Sequence, residues 1–233
     1  MERRHRAPIA WIIAFAAAAA TASSTRATTR NPPEASIGRF LAQAGIQHSY
    51  RAVRRLSADN GTRAGWAEAV TEYAPETGFR YQITDEGGSG YIRNNVLRAV
   101  LDGEREVVAS GALWRAALTP DNYTFETGGL RPDGLLNVLV APRRNERTLV
   151  AGALLLDPDS GDPVRLEARL ARNPSFWVTN VVVVREYERV GGVVMPISME
   201  STARIRMLGP ASFRMTYRYV EIDGRLVDVG DGR

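Results

Sequence analysis

The chain has 233 residues, of which 44% are hydrophobic and 24% charged, an ordinary globular composition with room for one sizeable core. It contains no cysteine, which excludes disulfides, thiolate nucleophiles and cysteine-ligated zinc or iron–sulfur centres. The formal net charge of +4 is too small for a nucleic-acid-binding protein, since the first six residues alone contribute +2 of it.

The chain begins with the three regions of a secretory signal peptide. A basic start precedes an apolar run over residues 9–20, and Ala20-Thr21-Ala22 supplies small residues for cleavage. The apolar run is shorter than the roughly twenty residues that a membrane-spanning helix needs. We therefore predict a signal peptide over residues 1–22, cleavage near Ala22 and a soluble, exported, periplasmic protein. The alternative is an uncleaved anchor.

Residues 23–33 are small, polar and rich in proline, and they predict a disordered lead-in. Two later segments carry apolar residues at the spacing of one helical face. The first runs from residue 34 to Gly45 and has the stripe Ile37, Phe40, Leu41 and Ala44. The second begins near Ile92 and is predicted to end near Gly103, or to continue beyond it through Val107 and Val108.

The remaining patterned segments are typical of strands joined by turns. The predicted strands are residues 48–56, 65–73, 79–84, 123–126, 135–141, 149–156, 164–170, 176–188, 193–207 and 211–222. This order of elements has no βαβ alternation, so it predicts an antiparallel sheet and not a parallel one. Residues 223–233 are expected to be a flexible tail.

The last two long strands alternate apolar and polar side chains almost without error. Odd positions from Val193 to Met207 are mostly apolar and even positions from Pro196 to Arg206 are mostly polar, the period of a strand with one buried face. The pattern resumes after a predicted turn at Gly209-Pro210. A strand over residues 193–207 would extend roughly 50 Å, so its sheet must twist or curl.

We therefore predict one α+β domain over residues 34–222. Its curled antiparallel sheet, a half-barrel of about ten strands, carries two or three helices on the concave face. The apolar face of the two long strands then lies beneath the helices.

The methionines mark this face in particular, because all of them except Met1 fall on it. Methionine is flexible and is over-used on surfaces that accept varied apolar partners. The face is therefore either an ordinary core or the lining of an apolar cavity. In the second case the ligand-binding residues are Trp177, Met195, Ile197, Met199, Ile205, Met207, Phe213, Met215 and Tyr217.

Other motifs favour structural roles. Residues 157–163 resemble a calcium loop, but the twelfth position is Ala168 and not glutamate, so a hairpin turn is favoured. Residues 87–90 are glycine-rich without phosphate-loop spacing, and they indicate a flexible connector. The basic residues 142–147 form either a solvated turn or a contact for phospholipid head groups. His48 is the single histidine beyond the leader and no nucleophile motif occurs, so we predict no catalytic residue, metal or cofactor.

Several short segments resemble a set of exported bacterial proteins of unassigned role. They are residues 118–125, 142–144, 173–177, 185–187, 195–198 and 217–219. Those proteins are similar in turn to the outer-membrane lipoprotein carriers and lipoprotein-sorting proteins, the LolA-like superfamily. The resemblance covers residues 48–222, and it includes a carrier-like hairpin from Tyr187 through Gly191-Gly192 to Met195-Pro196.

This resemblance implies a half-open β-barrel covered by helices, with an apolar cavity that shields acyl chains. It implies a periplasmic, non-catalytic binding protein for lipid or lipoprotein acyl chains. The alternative is a structural or sensory envelope protein whose sheet interior is only a packed core and whose partner is another envelope protein. No nucleic acid is expected as a partner.

Overall fold

The computed structural model describes residues 33–227. The predicted signal peptide, the lead-in up to residue 32 and the last residues of the predicted tail lie outside the described residues. The strands are β1 (Tyr50–Asp59), β2 (Ala64–Ala74), β3 (Gly78–Gly88), β4 (Tyr123–Leu130), β5 (Leu136–Pro142), β6 (Val150–Leu156), β7 (Pro163–Leu170), β8 (Val178–Val190), β9 (Val193–Ile205), β10 (Gly209–Ile222) and β11 (Arg225–Leu226).

The described part of the chain is mostly sheet, with one long helix and shorter helical segments. Helix α1 spans Pro33–Gln43. One long helix occupies residues 90–109, with a π-helical turn at Arg93–Leu97, and a single 3₁₀ turn follows it. The helix does not end near Gly103; it continues through Val107 and Val108, the second of the two predicted alternatives. Gly103 lies on the buried face of the helix, and packing of that face outweighs the roughly 1 kcal/mol that an interior glycine costs.

Within residues 33–227 all eleven strands belong to one antiparallel sheet, in the order β3-β2-β1-β10-β9-β8-β7-β6-β5-β4. Strands β3 and β4 are its edges, so the sheet is not closed. The antiparallel sheet of about ten strands is thereby confirmed. The short strand β11 pairs with the end of β10, where a flexible tail was predicted.

Two predicted ligand-binding residues, Met207 and Trp177, lie outside the strands in which they were predicted. Ile205 pairs with Gly209, so residues 206–208 form the turn and β9 stops two residues earlier than predicted. Met207 occupies this turn in the left-handed conformation, with φ at 70°. The apolar–polar alternation failed here because it continues through the turn residues. Trp177 likewise precedes β8 instead of lying within it.

Strand β3 continues through Gly87 to Gly88, where a flexible connector was predicted. Gly87 lies opposite Trp66, and a Cβ at position 87 would come within 2.7 Å of the indole Nε1. These glycines are therefore required by close packing in the sheet. The predicted hairpin turn after β6 is confirmed, since Asp157 accepts hydrogen bonds from the backbone N–H groups of Asp159 and Ser160 at 2.9 and 2.8 Å.

Buried apolar residues form three clusters against the sheet. One lies under the long helix and includes Leu56, Met199 and Met215. Another lies under α1 and includes Phe40 and Leu154. A small third cluster comprises Ala52, Met195, Tyr219 and Ile222.

The burial of the methionines predicts different stability effects for two of them. Met199→Ala should lower the free energy of unfolding by about 2–5 kcal/mol, because it opens a cavity in a packed cluster. Met207→Ala should change it by less than about 0.5 kcal/mol, because that side chain is exposed. Urea unfolding measures both, with Leu166→Ala as the buried control from the cluster under α1. Equal losses for Met199→Ala and Met207→Ala would contradict the strand ends described above.

Candidate functional site

One row of directly paired residues crosses most of the sheet, and we call its side of the sheet the inner face. Directly opposite residues of antiparallel strands point to the same side. From β2 to β5 the row reads Ala67, Leu56, Met215, Met199, Arg185, Leu166, Leu154 and Val138. All eight are buried, and Arg185 alone among them is polar. This row is thus apolar across eight strands, with one charged residue, Arg185, near its middle.

Two separate helical elements cover the inner face. The long helix packs its Leu97 and Leu101 on the half that contains Met199. Helix α1 packs Phe40 on the half formed by β4 to β7, with the Phe40 and Phe125 ring centroids 5.9 Å apart. The two covers belong to different clusters, although Leu170 contacts both clusters.

The structure brings together four of the nine predicted ligand-binding residues. Met199, Phe213 and Met215 are buried in the cluster under the long helix, and Tyr217 packs against it. Met195 is also buried, but it lies in the small third cluster, next to a register shift between β8 and β9.

The other four predicted residues are less buried. Ile197 and Ile205 are half-buried and belong to none of the three clusters. Trp177 and Met207 are exposed. Trp177 and Met207 lie in connections between strands, so the predicted position of each within a long strand is wrong.

Sequence reasoning missed a buried polar group on the inner face, under the long helix. Arg54 is only 1% exposed, and its guanidinium makes a two-point ion pair with Glu104 of the long helix at 2.6 and 3.0 Å. It also donates to the Tyr50 hydroxyl and lies 4.7 Å from the Tyr217 ring centroid and 5.1 Å from that of Phe79. Buried arginine is rare unless it is paired, and here both a carboxylate and aromatic rings surround it.

The electrostatics keep Arg54 charged and its tyrosine neighbours neutral. Burial alone would lower the pKa of Arg54, but Glu104, Tyr50 and Tyr217 together raise it well above its ordinary value. Burial raises the pKa of Tyr50 and of Tyr217, although Arg54 acts to lower both. These hydroxyl groups therefore stay protonated and able to donate hydrogen bonds.

Arg185 is the second buried arginine of the inner face. Its Nη2 lies 3.5 Å from the Met199 sulfur, and its side chain hydrogen-bonds with Tyr187. A signal for both arginines is present in the sequence. Arg54 shares the strand phase of Ala52 and Leu56, as Arg185 shares that of Val183, so each is a charge on an apolar strand face.

The buried arginines and tyrosines of the inner face are suited to binding a ligand by hydrogen bonds and apolar contacts. Guanidinium and phenol groups can donate hydrogen bonds to carboxyl, phosphate or ester oxygens, and the flanking apolar residues can contact hydrocarbon. Among residues 33–227 there is no group of three or more His, Asp or Glu side chains that could hold a metal ion. None of the described helices is both long and apolar enough to cross a membrane.

A separate pocket of about 400 Å³ lies where β1, β2 and β10 meet the β1–β2 turn. Its lining includes Ser57, Asp59, Trp66, Ser212 and Arg214. None of the predicted ligand-binding residues borders it.

Comparison with protein-family models found no match, and comparison with curated proteins found none either. Among solved structures, a LolA superfamily protein from Nitrosomonas europaea matches with 11% identity and a TM-score of 0.46, over 86% of this chain and 96% of that one. A DUF1329 family protein from Desulfovibrio piger matches with 10% identity and a TM-score of 0.42, over 87% and 95%.

A putative outer membrane lipoprotein-sorting protein domain from Vibrio parahaemolyticus matches with 9% identity and a TM-score of 0.42, over 85% and 94% of the two chains. The structures found thus include members of the superfamily that the sequence resembles.

The buried ion pair predicts an unequal response to single and double substitutions. Glu104→Ala should lower the free energy of unfolding by about 3–5 kcal/mol, because it leaves the Arg54 charge buried without its carboxylate. The double variant Arg54→Met, Glu104→Met should recover most of this loss, since apolar side chains can replace a buried pair.

Urea unfolding of these variants is compared with that of Glu200→Ala. This control breaks the exposed Arg214–Glu200 pair, whose contribution should be below about 1 kcal/mol. A Glu104→Ala loss no larger than that of the control would contradict the buried-pair assignment.

Proposed function

We propose that this protein is a non-catalytic binding protein for the acyl chains of a lipid or lipoprotein. The ligand lies between the inner face of the sheet, curled as a half-barrel, and the helices that cover it. The predicted leader over residues 1–22 assigns this role to the periplasm. Residues 34–222 act as a single ligand-binding domain.

The observation that carries the proposal is one wide apolar surface with two separate covers. The apolar row crosses eight strands, and the two helical elements that cover it belong to different clusters. Displacement of one cover exposes half of the surface while the other half keeps its own packing. An acyl chain can then replace the contacts of the displaced helix.

The long helix is the cover that we expect to move. Glu86 binds Arg93 and Arg98 at 2.8 Å near the start of this helix, and Glu104 binds Arg54 further along it. The π-helical turn Arg93–Leu97 lies at the first attachment, because Arg93 begins the turn and Arg98 directly follows it; residues 98–109, with Glu104, lie beyond it. Such turns often occur at functional sites and weaken the helical hydrogen-bond ladder, so this one supplies a hinge.

Movement about this hinge would uncover side chains suited to hydrocarbon. Met199 and Met215 can adjust their shape to a bound chain because their side chains are unbranched and flexible. The buried Arg54 and the hydroxyl of Tyr50, once released from Glu104, could bind the ester or carboxyl oxygens of the ligand.

The complete burial of Met195, Met199 and Met215 favours a second candidate function. In that case the inner face is a packed core, and the protein is a structural or sensory envelope protein that acts through its outer surfaces. Uptake of an acyl chain distinguishes the two functions.

We predict that the full chain binds a fluorescent fatty acid, anthroyloxy stearate, saturably and that native mass spectrometry finds co-purified lipid. Ile205→Asp should lower the affinity for the fluorescent fatty acid about tenfold or more, because it places a carboxylate on the inner face at a half-buried position. Leu139→Asp is the matched control, since Leu139 is exposed and alternates with the buried Val138 and Val140 of β5.

The control should bind like the parent protein. Absence of saturable binding in the parent, together with absence of lipid in the mass spectrum, would overturn the acyl-binding proposal and leave the packed-core function.

A further inference from the structure

The two ends of the sheet carry opposite charge. At one end, which we call the arginine end, lie the β1–β2, β5–β6, β7–β8 and β9–β10 connections, residues 60–63, 143–149, 171–177 and 206–208. These connections hold six arginines and one glutamate: Arg63, Arg143, Arg144, Arg147, Arg172 and Arg206, with Glu146.

The opposite end, which we call the acidic end, has the reverse composition. Its connections are residues 75–77, 131–135, 157–162, 191–192 and 223–224. They hold six carboxylates and one arginine: Glu76, Asp133, Asp157, Asp159, Asp162 and Asp223, with Arg131. The charge is therefore polarised along the strands, although the net charge of the chain is small.

Exposed apolar side chains are concentrated in the connections of the arginine end. Four of them lie in the connections of the arginine end: Phe176 (66% exposed), Trp177 (56%), Met207 (93%) and Leu208 (53%). The five acidic-end connections named above expose no large apolar side chain, whereas Ile46 (41% exposed) lies in the connection before β1 and Leu226 (77%) lies beside this end. A group of exposed apolar side chains within a basic surround indicates an interaction site more than scattered surface variation.

The four side chains form one patch, which we call the tip, because two connections are bonded to each other. The backbone N–H of Arg206 donates to the Trp177 carbonyl oxygen at 2.9 Å. The Arg206 guanidinium lies 3.7 Å from the Phe176 ring centroid, and the Phe176 and Trp177 rings meet edge to face at 5.5 Å. Met207 projects from this base with a left-handed backbone, which a bulky residue adopts only at a cost.

We propose that the arginine end docks on an anionic lipid surface, with the tip entering the boundary between head groups and acyl chains. Aromatic rings favour this boundary, Met and Leu reach beneath it, and the arginines around them pair with lipid phosphates. The carboxylates of the acidic end are repelled by the same surface, so the polarity of the sheet also sets the orientation. This inference goes beyond acyl binding on the inner face and does not depend on it.

An anionic lipid surface fits the tip better than an acidic protein does. The tip projects from connections between strands instead of lining a groove, and the four connections that form this end hold six arginines and one glutamate. A laterally continuous anionic surface can engage all of these arginines at once.

The test uses the full chain and the fluorescence of Trp177. Vesicles of phosphatidylglycerol or of phosphatidylcholine carry brominated acyl chains, which quench a tryptophan that reaches the acyl boundary. Subtraction of the Trp177→Phe signal isolates Trp177 from the other tryptophans and from any contact made by the N-terminal residues. We expect quenching with phosphatidylglycerol, little with phosphatidylcholine, and a marked loss at high salt.

Two variants and one control locate the contact. Met207→Glu should reduce the quenching of Trp177 fluorescence about tenfold at limiting lipid. Arg172→Glu should also reduce this quenching, although it leaves the four apolar side chains of the tip unchanged. Leu226→Glu introduces the same charge at an exposed position beside the acidic end, and the Trp177 fluorescence of this variant should be quenched as in the parent protein. Circular dichroism verifies that each variant is folded.

Unquenched Trp177 on phosphatidylglycerol would overturn the proposal and assign the tip to a protein contact. Equal quenching on both lipids would overturn the role of the arginines. Vesicle binding that survives Met207→Glu would show that another part of the chain makes the contact. Fatty acid binding in solution is scored separately, so failure of either proposal leaves the other testable.

Discussion

An eleven-stranded sheet with an apolar face must have that face covered, and this constraint governs the rest of the described structure. The sheet is open, so its face cannot be covered by closure onto itself, as in a barrel. The long helix covers one half and α1 covers the other, each with its own cluster of apolar contacts. The connections after β3 and before β1 are the segments that supply these covers.

The Arg54–Glu104 pair is an unusual way to attach a cover. A buried ion pair seldom stabilises a fold more than apolar side chains of similar size, because both charges must leave water. What the pair contributes is geometric specificity. Both hydrogen bonds between Arg54 and Glu104 form only when the long helix lies at one position on the sheet. The ion pair therefore adds positional specificity to a helix that Ile92, Leu97 and Leu101 already pack against the sheet.

Much of the sheet could be predicted from the sequence because its strands have one buried and one exposed face. The alternation located β9 and β10, and glycine-rich turns located most of the hairpins. The same alternation misled at Met207, since a period of two does not reveal where a strand reverses. It also could not show that a register shift near Tyr187 places Met195 in a different cluster from Met199.

The site was harder to predict than the fold, for a physical reason. Met199 and Met215 were recognisable because they are apolar residues in phase with other apolar residues. Arg54 was visible only as an exception to its strand pattern, and its meaning depends on Glu104, fifty residues away in another element. Such a pairing is a tertiary fact, which a single sequence without an alignment does not contain.

The direction of the long helix links the inner face to the polarity of the sheet. Its first residues follow β3 at the arginine end, where the Arg63 guanidinium lies 5.2 Å from the Tyr91 ring centroid. Its last turn reaches the acidic end, where Val108 approaches Gly78 at the β2–β3 turn. If the arginine end faces lipid, the π-helical turn is at the membrane side of the cover and the Arg54 bond is further from it. An acyl chain leaving a bilayer would then meet the hinge of the helix first, and only a chain that passes beyond it would reach the buried arginine.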